Sequence, residues 1–488
     1  MTPPPAKVLG PSRREFLSQL GGGLGGVALA WFLDQNVLRG GGTPLPAAVP
    51  DFVPRAGSQF RPRAKRVIQL FMNGGASPMD TFDYKPELIR RHGQKFDPGD
   101  GRRVEAATSV PGMVMKSPFE WRQHGQCGRW VSSVLPCMAE SVDDLAFLMS
   151  MTSRTNVHGP ASYLMNTGSL LSGFPCMGSW LSYGLGRITD SLPSFVVLPD
   201  PRGLPYNQKG NFSSGFLPVG HQGTVFNTSG NELIAHLHAP SGNPLAIPAA
   251  EREGRELLAS LNRRHQAAHE TDLRLEGRIE AYELAARMQL SAPEAMDLEG
   301  ETPATRQLYG MDQPVTADYG RRCLLARRLI ERGVRFVQVW SGAGGASGNW
   351  DNHGSIAREL PPIAAATDRP IAGLLRDLRA RGLLEDTLVL WNTEFGRMPF
   401  TQGSDGRDHN GGTFVGWMAG AGVRAGVAYG ESDPWAWQAG PGAVSTYDFH
   451  ATVLHLLGLD HTKVAVYHNG VSRRLTDVHG EVIRAVLA

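Results

Sequence analysis

Asp351 and His353 stand two residues apart in the stretch SGAGGASGNWDNHGS, and a loop so rich in glycine can turn both side chains toward one ion. His158 lies in TNVHGPASY, Glu394 in WNTEFGRMP, and Asp408 with His409 in GRDHNGG. Asn73, Asp80 and Asp83 follow one another in MNGGASPMDTFDY. Imidazole together with carboxylate suits zinc, manganese or iron better than calcium, which prefers oxygen alone. The same groups also serve as acid and base in hydrolysis. Taken singly, a histidine such as His158 is more often a satisfied structural residue, and WDNHG or RDHNGG is more often a turn with local side-chain bonds. What sets these residues apart is where they fall in the chain.

Each follows an apolar run. The runs are VIQLFM (67–72), LAFLMSM (145–151), SFVVLP (194–199), VRFVQVW (334–340) and LVLWN (388–392). They are continuous rather than alternating, the pattern of parallel strands covered on both faces. Helical segments lie between them. YGRRCLLARRLIERG leads into the run at 334 with Gly333 as its stop, and PPIAAATDRPIAGLLRDLRARGLLEDT leads into the run at 388. This rhythm predicts an α/β fold, a doubly wound and mostly parallel sheet flanked by helices. Ligands of such sheets gather beyond the carboxyl ends of the strands. Four strand ends here deliver carboxylates and imidazoles, as a metal site assembled on a sheet edge requires. A charged helical insertion is expected at about 250–292, with Leu257, Leu261, Ala268, Leu275, Ile279 and Tyr282 on one stripe.

The chain has 488 residues, 41% of them hydrophobic, enough for a large core. A formal net charge of +2 leaves no electrostatic footprint for nucleic acid. The 4 cysteines show no C-x-x-C spacing, which argues against a thiolate zinc site and does not demand disulfides. Arg13 and Arg14 directly precede EFLSQLGGGLGGVALAWFL, a basic and then moderately apolar pattern that reads as a twin-arginine export signal over residues 1–35. A Pro/Gly-rich linker (36–61) then leads to one domain spanning 62–488. The expected location is periplasmic or extracellular, with a membrane tether if the signal stays uncleaved.

MNGGASPMDTFDYKPEL, HGPASYLMNTGS, NWDNHG, TEFGRMP, GRDHNGG and YDFHATVLHLLGLD together resemble the bacterial family called domain of unknown function 1501. That family belongs to the alkaline phosphatase and sulfatase superfamily, often carries twin-arginine signals and is common in planctomycetes. The resemblance covers residues 62 to 488 and implies an alkaline-phosphatase-like core. The superfamily's enzymes hold two metals bridged by a hydroxyl or formylglycine nucleophile ten residues before a Thr-Gly. Counting ten back from Gly168 reaches His158, so that mechanism does not carry over. Glu394-Phe395-Gly396 stands where relatives hold Asp-His-Gly, while Asp351, His353 and His409 match the ligands of the other metal. One metal site is thus expected intact and the second eroded.

The expectation is a divalent transition metal, zinc or manganese, about one per chain. Its ligands would be Asp351, His353 and His409, with Glu394 and Asp80 as further ligands and Asn73 and Asp408 as other site candidates. His158 is the candidate catalytic residue, as acid/base, nucleophile or extra ligand. Placed at the start of a helix near Pro160, it should be mostly neutral, because a helix N-terminus disfavours an imidazolium. Two functions compete, ahead of a third in which the chain is a structural exoprotein whose metal staples its loops. One is an exported metal-dependent hydrolase acting on a phosphate or sulfate ester, small or within a sulfated or phosphorylated polymer. The other is a non-catalytic metal-binding relative holding an anionic ligand or polysaccharide. The twin-arginine machinery is the expected export partner.

Overall fold

The structure is a computed structural model that describes residues 58–488 apart from 100, 102–103, 105, 229–233, 235–247, 269–272 and 346. The signal segment and almost all of the linker lie outside the described residues.

In chain order the strands are β1 (Arg66–Met72), a hairpin β2 (Trp121–His124) and β3 (Arg129–Ser132), β4 (Leu145–Thr152), β5 (Phe195–Leu198) and β6 (Thr224–Val225). They continue as β7 (Phe336–Ser341), β8 (Thr387–Asn392), a hairpin β9 (Gly396–Gln402) and β10 (Gly406–Asn410), β11 (Phe414–Ala419), β12 (Ala428–Tyr429) and β13 (Val444–Ser445). Among the described residues nine of these form one sheet, ordered β12-β4-β11-β8-β1-β7-β5-β6 with β13 beside β4. β1 runs parallel to both β7 and β8, and β5 parallel to β7. Only β11 is antiparallel, paired on both sides with β4 and β8. The fold is therefore α/β with a mostly parallel sheet, as the apolar runs predict. FVGWMA, the antiparallel strand, gave no separate signal in the sequence.

Alternate residues of β1 feed two cores. Ile68, Leu70 and Met72 meet the helices Pro314–Glu331 and Ile356–Ala380. Val67 and Phe71 meet the helices Met177–Leu185 and Thr446–Leu456 on the other face. Burial on both faces is why the strands read as unbroken apolar runs. The helix Ile356–Ala380 contains Pro361, Pro362 and Pro370, each lacking a ladder donor. It persists because Leu360, Ile363, Ala364, Ile371, Leu374, Leu375 and Leu378 bury one continuous face.

Buried amides stitch the central strands to the helix His158–Thr167. Gln338 Nε2 donates to Gln69 Oε1 (2.9 Å) and to Asn166 Oδ1 (2.8 Å), and Gln69 Nε2 donates to Asn392 Oδ1 (3.3 Å). An unpaired amide here would cost its desolvation, so the network favours one seating of that helix over the sheet.

The insertion differs from expectation. It is two helices, Pro248–Ala267 and Leu273–Met296, rather than one. Leu257, placed on the packing stripe, is exposed, whereas Leu275 is buried. The second helix packs through Leu284, Met288, Ala292, Ala295 and Met296. Charged residues dominate both segments, so the apolar phase was too sparse to set the face. Cys127, Cys137, Cys176 and Cys323 are all free thiols.

Candidate metal centre

Five chain segments at the carboxyl ends of the strands converge. The loop after β1 brings Asn73-Gly74-Gly75, and the segment after β4 starts the helix whose first residue is His158. The loop after β7 brings Asp351 and His353, the turn after β8 brings Glu394, and β10 of the next hairpin brings His409. Among the described residues, His158, Asp351, His353 and His409 each offer one donor atom, all within 4.8 Å of one another.

Hydrogen bonds decide which ring nitrogens face inward. His158 Nδ1 donates to Glu394 Oε1 at 2.7 Å, and His409 Nδ1 donates to the Asn156 carbonyl at 2.9 Å. His353 Nδ1 bonds Gln402 Oε1, and Gln402 Nε2 is itself committed to Thr108 Oγ1 at 3.0 Å. Each Nδ1 meets an oxygen that can only accept, so each neutral ring must leave Nε2 bare. The three Nε2 atoms lie 3.2 Å (His158), 2.7 Å (His353) and 3.1 Å (His409) from Asp351 Oδ1. His353 Nε2 and His409 Nε2 are only 2.8 Å apart. His158 Nε2 is buried with no aligned hydrogen bond. Lone pairs crowded in this way repel unless a cation or a shared proton stands between them, and three imidazoles with one carboxylate are a natural set for a zinc-type ion. The residues fit the metal.

Electrostatics follow the same geometry. Burial alone would raise the Asp351 carboxyl, but the imidazoles and the Arg397 guanidinium hold it well below the usual carboxylate range. Burial disfavours a charged His158, yet bonds to Asp351 and Glu394 outweigh it and raise its pKa. The neutral His158 expected from its place at a helix start is thus opposed, in the absence of metal, by two carboxylates at contact distance. His409 is pushed down to about 4, chiefly by burial and against the Asp351 hydrogen bond. Without metal, His158 thus holds a proton more readily than His409 does.

Other expected residues lie around the group rather than in it. Glu394 is wholly buried and holds His158 from behind, while also accepting from Gly74 N–H (2.9 Å) and Thr393 Oγ1 (3.0 Å). Asp80 takes Arg407 Nε at 2.6 Å in a fully buried ion pair, so its charge is already answered. Asp408 turns away from its neighbour His409. It accepts from Thr108 N–H (3.0 Å), Thr108 Oγ1 (2.8 Å) and Ser109 Oγ (2.9 Å), and so clips that loop beside the site. GRDHN is a strand, not the expected loop, and successive strand side chains point to opposite faces. Asn73 donates to the Gly342 and Ala343 carbonyls at 3.2 and 3.0 Å, tying β1 to the loop that carries Asp351.

Three neighbours carried no signal in the sequence. Arg397 Nη2 touches Asp351 Oδ1 at 2.6 Å. Tyr206 stacks on the His158 ring (centroids 4.3 Å apart, 7° between planes) and its hydroxyl lies 3.4 Å from Asp351 Oδ2. Its pKa is raised, first by burial and then by the Asp351 charge, so it remains a donor. Gln402 is the third. Asn207 and Gln208, directly after Tyr206, both hold positive φ (64° and 54°), a strained pair that Asn207 Nδ2 pins to the Gly159 carbonyl at 2.6 Å.

The chain matches, over residues 64–487, the family described as Protein of unknown function (DUF1501), and belongs to it. No curated protein matches it. Solved structures similar to it include the PsFucS1 sulfatase from Pseudoalteromonas sp. (14% identity, 84% of this chain and 74% of that one, TM-score 0.33). The phosphonate monoester hydrolase SpPMH from Silicibacter pomeroyi is similar at 12% identity, over 72% of this chain and 71% of that one, with a TM-score of 0.33. The alkaline phosphatase from the Antarctic bacterium TAB5 is similar at 10% identity, over 81% of this chain and 98% of that one, with a TM-score of 0.31. Likeness at this level assigns neither a substrate nor a role to any residue.

Proposed function

We propose that this member of the DUF1501 family is an exported metal-dependent hydrolase of an anionic ester, phosphate or sulfate, with its metal held by His158, Asp351, His353 and His409. The observation that carries the reading is the convergence of one donor atom from each of His158, Asp351, His353 and His409 within 4.8 Å of one another. Zinc is the ion we assign, on the nitrogen-rich donor set. Bound there, it would supply Lewis acidity toward an ester oxygen or a water molecule.

The chain's own groups do the rest. Glu394, Gln402 and the Asn156 carbonyl hold the three rings in the ligating tautomer. Arg397 adds a fixed positive charge beside Asp351, so with a divalent ion the centre is net positive and attracts an anion. Tyr206 keeps its hydroxyl proton and covers one side of His158. The His353 side chain is 29% exposed and marks the side by which solvent and substrate enter.

Metal analysis of the purified chain, with chromogenic phosphate monoester, phosphodiester and sulfate esters, tests this. The expected result is about one zinc per chain and turnover of at least one ester class that is lost on chelation. Zinc-loaded protein inert toward every ester would overturn the hydrolase reading. The non-catalytic alternative, a metal-binding protein that holds an anionic polymer, is favoured by one observation. Four protein donors already complete a tetrahedral set, the arrangement of structural rather than catalytic zinc.

A further inference from the structure

We propose that the Arg397 guanidinium is a built-in cation filling a ready-made oxygen cage beside the metal centre, and that it thereby limits the centre to a single metal ion. The inference rests on the metal centre proposed above and adds what sets its stoichiometry.

Arg397 is wholly buried, with 0% of its side chain exposed. Its Nε donates to the Gly75 carbonyl (2.7 Å) and Nη1 to the Arg407 carbonyl (3.1 Å). Its Nη2 meets the Gly74 carbonyl, the Trp350 carbonyl (3.3 Å) and Asp351 Oδ1 (2.6 Å). Five oxygens from three separate segments thus aim at one planar cation, and only Asp351 among them carries charge. Three of the four carbonyls come from the loops that position Asp351. Burying a guanidinium costs several kcal/mol unless its donors are answered, and here all three nitrogens are.

The backbone is shaped for this contact. Gly74 and Gly75 hold φ of +123° and +77°, which turns their carbonyls toward Arg397. A Cβ at Gly74 would lie 2.6 Å from the Asp351 nitrogen, and one at Gly75 would lie 2.7 Å from the Phe395 ring and 3.2 Å from Arg397 Nη2. The atoms that accept from Arg397 are all oxygens. Sets of carbonyl and carboxylate oxygen bind hard divalent ions such as manganese or calcium, whereas the neighbouring imidazoles select zinc. With Arg397 in place, a second divalent ion would have to enter the cage that the guanidinium already fills, among oxygens whose one charge, on Asp351, is already shared by Arg397 and the first ion. Three buried cations around one carboxylate repel one another, which disfavours the second ion.

The test is a metal count on the full chain. Wild type and Arg397→Ala are loaded with zinc, then titrated with manganese chloride and read by native mass spectrometry and by the manganese electron paramagnetic resonance signal. Wild type should hold one zinc and take up no manganese. Folded Arg397→Ala should hold one zinc and one manganese, while Arg397→Lys, which restores the charge, should again take none. Arg397→Gln serves as the neutral variant if the alanine does not fold, with circular dichroism confirming its structure. A wild type that binds a second ion overturns the inference and leaves the proposed function standing. A folded neutral variant that takes up no manganese also overturns it. A wild type that binds no zinc removes the metal centre, and both proposals fall.

Discussion

At the scale of single residues, the centre depends on where one proton sits. Without metal, contacts with Asp351 and Glu394 raise the pKa of His158 against the opposing effect of burial. Zinc must displace that proton, so affinity should weaken about tenfold for each pH unit below the His158 pKa. His158→Ala removes both the donor and the proton's seat. The expected outcome is loss of most of the zinc, and with it the stabilisation that ligand binding adds, about 2.7 kcal/mol at a hundredfold excess over Kd. Retained zinc with lost turnover would instead make His158 an acid/base group. Gln402→Leu probes the layer behind. It strips the acceptor from His353 Nδ1 without touching a ligand, and zinc affinity measured by chelator competition should fall roughly 10- to 100-fold.

Among the elements, the hairpin β9–β10 separates two roles that adjacent residues were expected to share. His409 faces the metal group, and Asp408 ties down Thr108 and Ser109. Asp408→Ala should therefore leave zinc content unchanged and speed hydrogen exchange in the segment around 106–109. Lost zinc with unchanged exchange would show that Asp408 serves the metal instead. The helix Thr446–Leu456 gives a pH prediction. His450 is fully buried, donates from Nε2 to the Met165 carbonyl at 2.9 Å and is held down to about 4 by burial. An unfolded histidine titrates near 6.5. The stability gained from keeping His450 neutral is thus complete above about 6.5 and is lost as pH falls toward about 4, on the order of 3 kcal/mol. His409 acts in the same direction and His158 in the opposite one. Comparing chelated wild type with His450→Gln isolates the first term, since an amide still donates to Met165. Melting curves of the variant should be flatter across that pH range, and identical slopes would assign the acid sensitivity elsewhere.

For the whole molecule, export and metal loading are expected to be coupled. The twin-arginine route carries folded chains, and a metal bound only to the folded state stabilises it before transport. Replacing Arg13 and Arg14 together by Lys keeps the charge but removes the guanidinium pair that the receptor reads. The double variant should stay inside the cell, still folded and still holding zinc. Unchanged export would refute the signal. Among the described residues no helix is long and apolar enough to cross a membrane.

The sheet and the edge that carries the candidate site were legible in the sequence because their signals are local. A strand covered on both faces is apolar on both, and β1, β4, β7 and β8 read as mostly apolar runs broken only by a few buried polar groups such as Gln69 and Gln338. Polar groups at the ends of such runs then point to the carboxyl edge, which is how Asp351, His353, Glu394 and His409 drew notice. What the sequence could not state is how groups far apart in the chain answer one another. Glu394 meets His158 across 236 positions, and turns it from a lone histidine into an oriented donor. Asp80 and Arg407 cancel each other across 327 positions, which takes Asp80 out of the metal group. Arg397 looked like one more basic residue after a strand, and its contact with Asp351 exists only once the loops after β1 and β7 close around it. Pattern encodes burial, which each residue reports by its own type, whereas charge pairing depends on distance through space, and only the folded chain sets that distance.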